Sequence, residues 1–227
     1  MLTAGNLFYM VIYLGKFEFF ERYRASADLW PWESDPVEWQ RLKWRSIRYS
    51  LFNLLVTTPC LLLPFLWCDF EIPNRTDFDF PSTLQFFLTI MFSSMMADMT
   101  GFLSHSTFHR PWLYKNIHKI HHEHTVSTSL ATIDFHPIEH IFSNVIPQVI
   151  GAELLGKRMH LSCYFGFMIL RMISSIEEHA GYKFSWSMFR LVPFHLDGQE
   201  HVYHHSDNVG NYASFLGIWD TVIGSNA

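Results

Sequence analysis

Residues 47–70 read IRYSLFNLLVTTPCLLLPFLWCDF, and this run constrains the chain more than any other feature. About 20 mostly apolar residues make a helix long enough to cross a bilayer, and lipid admits only structures that satisfy every backbone polar group internally. Pro59 and Pro64 are expected kinks, which membrane helices tolerate. Residues 84–103 form a second run, interrupted only by Asp98. Residues 2–20 make a weaker third, with Lys16 and Glu18 near its end. Residues 138–176 are strongly apolar, but Glu139, Glu153, Lys157, Arg158 and Arg171 divide them into a hairpin of two pieces. Buried helices of a soluble all-α protein are the competing reading of the same runs. The expectation is an all-α integral membrane protein with about four membrane-embedded helices, roughly 2–20, 47–70, 84–103 and 138–176.

Charge sets the expected orientation. Arg22, Arg24, Arg41, Lys43, Arg45 and Arg48 lie between the first two runs, whereas Glu71, Asp77 and Asp79 outnumber Arg75 after the second. The positive-inside rule puts the basic side in the cytosol, so everything from His105 onward emerges there too. Residues 1–15 hold no Lys or Arg, unlike the basic start of a signal peptide, and the first segment is expected to be retained. Only 16% of residues are charged and the net charge is −5, which argues against a nucleic-acid partner needing a basic face. Cys60, Cys68 and Cys163 form no CxxC pair, so neither a disulfide framework nor a cysteine zinc site is expected. No repeat appears, 73–81 is the one linker-like piece, and residues 1–227 are expected to form one domain.

Fourteen histidines carry the chemistry, eight of them between His105 and His140. His105 and His109 make an HxxxH; His118, His121 and His122 make an HxxHH; His201, His204 and His205 make a second HxxHH. Positions i, i+3 and i+4 share a helix face, so each box is expected to aim its imidazoles at one point. Neutral imidazole binds zinc, copper, iron or nickel. Seven or eight imidazoles exceed what one tetrahedral zinc uses, so two metal ions are expected.

The remaining histidines carry weaker signals. His136 and His140 form an i, i+4 pair around Pro137, which starts a helix; His136 is read either as a ligand or as a donor to one, and His140 as structural. Glu139 is placed to accept the second N–H of a liganding imidazole. His179, at the end of an apolar helix, is read as a further ligand, and Glu177 and Glu178 either as carboxylates near the metals or, by default, as a solvated helix end. His124, out of phase with its box, is expected at the surface, His160 at the membrane interface and His195 in a loop. Tyr203 and Tyr212 are read as bonding to ligands or shaping the pocket or, by default, as core packing, and Asp220 as a cap or as a group that orients a liganding histidine.

These residues also carry a resemblance. IHKIHHEHT at 117–125, FHPIEH at 135–140, EEHAGYKFSWS at 177–187 and HVYHHSDNVGNYASFLGIWDTVIGS at 201–225 resemble the fatty acid hydroxylase/sterol desaturase superfamily. GNYAS followed by Trp219-Asp220, with Trp30-Pro31-Trp32 upstream, is most similar to its 4-methylsterol monooxygenase branch. The match covers most of 20–225 and is strongest from 98 onward. Ser106 and Arg110 depart from the HRxxHH of the first box in relatives, and 198–200 lack a histidine often found before the third.

The resemblance implies an endoplasmic-reticulum enzyme, its histidine-rich cap facing the cytosol, that uses two irons and dioxygen to hydroxylate an unactivated C–H bond. The implied iron ligands are His105, His109, His118, His121, His122, His179, His201, His204 and His205, within a catalytic region spanning 98–225. The implied electrons come from NAD(P)H through cytochrome b5 and its reductase, separate proteins because the chain has no HPGG haem motif. Oxidation of the C-4 methyl of a sterol is the expected reaction. A sterol desaturase, another sterol dealkylase or a fatty-acyl or sphingolipid hydroxylase shares the same boxes. A metal transporter, which would space ionisable residues along its spans, and a non-catalytic scaffold are the readings from other classes.

Overall fold

The computed structural model describes residues 2–67, 80–196 and 198–226. Among them the regular structure is helical, and only two isolated β-bridges, Arg24 with Tyr182 and His195 with Leu216, stand beside the helices. The all-α expectation holds. Cys68, Glu71, Arg75, Asp77, Asp79 and most of the 73–81 linker lie outside the described residues.

Helix α1 spans Leu2–Gly15. Its 14 residues rise about 21 Å, short of a ~30 Å hydrocarbon layer, so the expected 2–20 run is a shorter helix than a crossing needs. Helix α2, Pro36–Phe52, starts where Asp35 accepts the N–H groups of Val37 and Glu38 and Pro36 takes the first helical position. A π-helical turn, Asn53–Thr57, passes directly into α3, Thr58–Trp67. Pro59 has no N–H to return to Leu55, which accounts for the wide turn at this point.

Helix α4, Thr83–Phe108, is 26 residues long, about 39 Å, and contains the expected 84–103 run. Ser82 and Gln85 close a reciprocal cap at its start. It is the one described helix long and apolar enough to cross a membrane. Its polarity is inverted relative to a soluble helix: Leu84, Phe87, Leu88, Met91 and Met95 face outward, while Ser93, Ser94, Ala97 and Asp98 are buried. Small inward residues let neighbouring backbones approach closely.

Two helices run beside α4. After a turn at Pro137–Glu139 and a π-helical stretch at His140–Val145 comes α6, Ile146–Leu155, counting the short α5, Lys119–His122, as its predecessor. Gly156, at φ +51°, turns the chain, and α7, Leu161–His179, returns with His160 capping its start. This is the hairpin expected over 138–176. Gly151 is where α6 crosses α4, since a Cβ there would stand 2.7 Å from the Ser93 Cα. Outward Phe165, Ile169 and Ile173 extend the apolar exterior onto α7.

Above the hairpin, α1 meets an aromatic cluster of Tyr9, Tyr13, Trp30, Tyr182 and Phe184. The Tyr13 hydroxyl donates to the Ala180 carbonyl at 2.8 Å and accepts the Ser129 N–H at 3.0 Å. One buried phenol thus ties the end of α7 to the segment after the second histidine box. Helices α8, Gly198–Asp207, and α9, Ile218–Ile223, complete the chain.

Candidate metal centre

Each i, i+4 histidine pair within the three boxes comes to one place, but the third histidine of each HxxHH box does not join it. His105, His109, His118, His122 and His204 form one group, and His121, His179, His201 and His205 form another, with the nitrogens of each group within 4.8 Å of one another. His118 and His122 therefore part from His121, and His204 parts from His201 and His205. This corrects the expectation that a box serves one point. On α8 the residues at i and i+4 face one way and the intervening residue is turned toward the neighbouring group, so each HxxHH box feeds both. The His122 and His205 rings stack at 4.7 Å between centroids, so the groups adjoin.

Four elements supply the rings. The last turn of α4 gives His105 and its cap residue gives His109; the π turn Tyr114–His118 with α5 gives the second box; α7 ends on His179; α8 carries the third box.

The outward nitrogens fix the tautomers. His105 Nδ1 donates to the Tyr212 carbonyl at 2.7 Å, His204 Nδ1 to the Gly210 carbonyl at 2.6 Å, and His179 Nδ1 to the Ser175 carbonyl at 2.8 Å. A carbonyl only accepts, so the second nitrogen of each neutral ring, Nε2, carries a lone pair. His118 Nδ1 meets the buried Glu139 carboxyl at 2.6 Å. The inward Nε2 atoms nevertheless crowd together. His105 stands 3.1 Å from both His118 and His204, His109 stands 3.1 Å from His118 and 3.2 Å from His204, and His118 stands 2.9 Å from His122.

Lone pairs do not hydrogen-bond one another, and two rings locked by carbonyls cannot invert to relieve the contact between His105 and His204. A cation between them resolves it. Nitrogens ~2.1 Å from a common ion and at right angles to one another lie ~3.0 Å apart, against ~3.4 Å for a tetrahedral arrangement. The edges of 2.9–3.2 Å fit the first. The second group has edges of 2.9 Å between His179 and His201 and 3.4 Å between His121 and His179, and both nitrogens of buried His205 lack a partner among the described residues. The donor set fits metal.

Electrostatics agree. Burial, with repulsion from neighbouring imidazoles, drives His118, His121, His122, His201, His204 and His205 well below the ordinary histidine range. The same causes push His109 down to about 2, and burial takes His179 to about 4. Neutral imidazole is the metal-binding form.

Other expected residues are placed as follows. Glu139 is buried against His118, the position of an orienting carboxylate. Asp220 accepts the Tyr212 and Ala213 N–H groups at 2.9 and 2.8 Å and the Ser225 hydroxyl, so it holds the strand of chain whose carbonyl orients His105 and touches no histidine itself. His136 lies outside both groups, its Nδ1 accepting the Ile138 N–H at 3.2 Å. His140 meets Thr58, as a structural residue does. His160 caps α7. His124 is not at the surface: it is buried and meets Asp134 at 2.9 Å. Glu178 is buried rather than solvated and accepts from Ser174. Tyr203 is 45% exposed rather than in the core.

Two supporting residues escape a motif search. Arg45 of α2 reaches the Ile120 carbonyl at 2.7 Å, Asp134 at 2.7 Å and Glu123, clamping the second box from behind. Its signal is helical phase, because Arg45 follows the buried face of Trp39, Leu42 and Ser46. Asp98, which interrupts the α4 run, accepts the Phe215 and Leu216 N–H groups at 2.8 and 3.1 Å.

Comparison with known proteins agrees with this geometry. The family model described as fatty acid hydroxylase matches residues 90–225, more than half of the chain. The chain is 32% identical over 182 residues to methylsterol monooxygenase 2-2 of Arabidopsis thaliana, covering 79% of this chain and 67% of that protein. It is 32% identical over 229 residues to fatty acid hydroxylase domain-containing protein 2 of Homo sapiens, covering 99% and 62%. It is 28% identical over 183 residues to the very-long-chain aldehyde decarbonylase GL1-11 of Oryza sativa subsp. indica, covering 79% and 67%. The chain thus spans about two thirds of the length of these relatives or slightly less. No solved structure matches.

Proposed function

The chain belongs to the fatty acid hydroxylase family, and from that premise we propose that it is a two-iron, dioxygen-dependent monooxygenase that oxidises the C-4 methyl group of a sterol. The observation that carries the metal chemistry is the pair of adjoining imidazole groups with inward lone pairs. His105, His109, His118, His122 and His204 would hold one ion, and His121, His179, His201 and His205 the other. Bound iron supplies dioxygen activation and C–H oxidation, which redox-inert zinc does not.

The chain's own groups do the positioning. The Tyr212, Gly210 and Ser175 carbonyls keep three rings in the tautomer whose Nε2 points inward. Glu139 does the same for His118 and makes that ring a stronger donor. A cavity of ≈ 90 Å³ borders His105, His118, His121, His179 and His201 and runs between α4, the π turn before α6, and α7. Its helices are apolar outside, so a lipid would enter it from the bilayer rather than from water. The reading places the protein in the endoplasmic-reticulum membrane as a multi-pass protein, with 47–70 and the hairpin accompanying α4 as spans. The histidine groups would face the cytosol, with cytochrome b5 and its reductase as separate electron donors.

The sterol substrate is supported by the Arabidopsis relative's name and by the similarity of 201–225 to the methylsterol branch. The rice relative's name favours a second reading, a long-chain aliphatic substrate. Transport has no such support: in α4 the buried Asp98 is committed to two backbone N–H groups.

Iron determination on detergent-purified protein from iron-supplemented cells, paired with a reductant- and dioxygen-dependent assay on a 4,4-dimethylsterol, tests the proposal. About two irons per chain and an oxidised C-4 methyl product are expected. Two irons with product only from an aliphatic aldehyde would move the substrate to the second reading, and a chain that retains no iron would overturn the metal assignment.

A further inference from the structure

The cavity beside the histidines is not wholly apolar. Arg171 reaches into its wall from α7, where Nη2 donates to the Ser214 hydroxyl at 2.7 Å and the guanidinium lies 5.2 Å from the centre of the Phe215 ring. Its other terminal nitrogen, Nη1, is buried and meets no acceptor among the described residues. On the same cavity, Asn144 of the π turn before α6 has a buried amide Nδ2 in the same condition. Buried polar groups in native proteins are as a rule paired, and these two orphaned donors line one cavity.

Neighbouring carboxyls account for the charge and not for the unused donor. Asp98 and Glu178 both feel the Arg171 charge, which makes a guanidinium tolerable at this depth. Asp98 is bonded elsewhere, to the Phe215 and Leu216 N–H groups, and Glu178 gives Oε1 to Ser174 while its buried Oε2 meets no donor among the described residues, Arg171 included. Arginine offers five N–H groups and no acceptor. An acceptor carried by the cavity's occupant would complete both donors at once.

We propose that Arg171 and Asn144 are substrate-positioning residues that seat an oxygen substituent of the lipid, a hydroxyl, carbonyl or carboxylate close to the carbon that is oxidised. This rests on the lipid-oxidising reading above. On that reading the oxygen of a 3-hydroxysterol is one carbon away from C-4, so both fit one cavity bordered by His105 and His179.

The test is equilibrium binding of labelled lipids to the purified iron-loaded full chain, without turnover. The probes are a 4,4-dimethyl-3β-hydroxysterol against its 3-deoxy analogue, and octadecanal against octadecane. Wild type is expected to hold the oxygen-bearing member of at least one pair tenfold or more tighter. Asn144→Leu and Arg171→Met are each expected to shrink that gap below threefold while affinity for the deoxygenated member stays within threefold. Arg171→Lys, which keeps a charge beside Asp98 and Glu178, is expected to keep iron content and recover part of the gap. If Arg171→Met does not fold, Asn144→Leu decides alone. A gap confined to the aldehyde pair would keep the seat and remove the C-4 methyl reading. No gap in wild type, or a gap unchanged in Asn144→Leu, would overturn the seat.

Discussion

At the scale of single residues, position inside a box decides what a histidine does. His204 and His205 are adjacent in sequence, yet one points to the five-membered group and the other to the four-membered group. His204→Ala and His205→Ala are therefore each expected to lower bound iron and to cut turnover at least 100-fold, with different ions affected. Iron analysis with Mössbauer or comparable spectroscopy would distinguish the two losses, and an identical residual spectrum in both variants would contradict the partition. His136→Ala, outside both groups, is expected to retain iron and turnover. Glu139→Gln removes the carboxylate from His118 while keeping its shape. Orienting partners of this kind typically cost about 10–100-fold in metal affinity or activity, and metal titration of the variant would check that range.

At the scale of elements, the site depends on how closely helices and loops are held. Gly151→Ala would put a methyl group 2.7 Å from the Ser93 Cα, a backbone atom that cannot rotate away. Forcing apart a packed crossing costs about 1–3 kcal/mol, and thermal unfolding in detergent is expected to show the loss. An unchanged midpoint would mean that α6 and α4 are not packed this tightly. The elements also divide what the sequence discloses from what it hides. Apolar length announces α4, the hairpin and the inward histidines, because lipid and metal each demand a repetitive local pattern. The division of the boxes between two groups is silent, because it depends on which rings of four separate elements meet in space. Arg45 reads as one more cytosolic positive charge, since its partners Glu123 and Asp134 lie 78 and 89 residues away. His124 reads as surface because its partner Asp134 sits beyond a turn. Asp98 looks like a blemish in a span until residues 215 and 216 are seen to return to it.

At the scale of the whole molecule, an apolar exterior surrounds a core of titratable groups, and this makes pH the condition to which the fold is most exposed. The eight grouped histidines outside α4 are all held neutral by burial and by one another. In the unfolded chain they titrate near ~6.5. Above that pH both states are neutral and the histidines contribute no pH dependence. As pH falls below it, the unfolded state takes up protons that the native state refuses, so native stability drops by up to about 1.4 kcal/mol per pH unit for each such group. Metal strengthens the same trend, because protons compete for the nitrogens that bind it. The unfolding midpoint of the iron-loaded protein is therefore expected to be level from pH 8 to about 6.5 and to fall steeply below, with iron released over the same interval. Removing iron with a chelator at pH 7.5 should lower the midpoint without changing the sign of its slope in acid, since the apo rings are buried and neutral too. On the two-iron proposal each ion would take several rings, so release should be cooperative in protons rather than a single-site titration. Iron retained unchanged at pH 5 would mean that the groups do not titrate as buried imidazoles, and would weaken the case that they bind the metal at all.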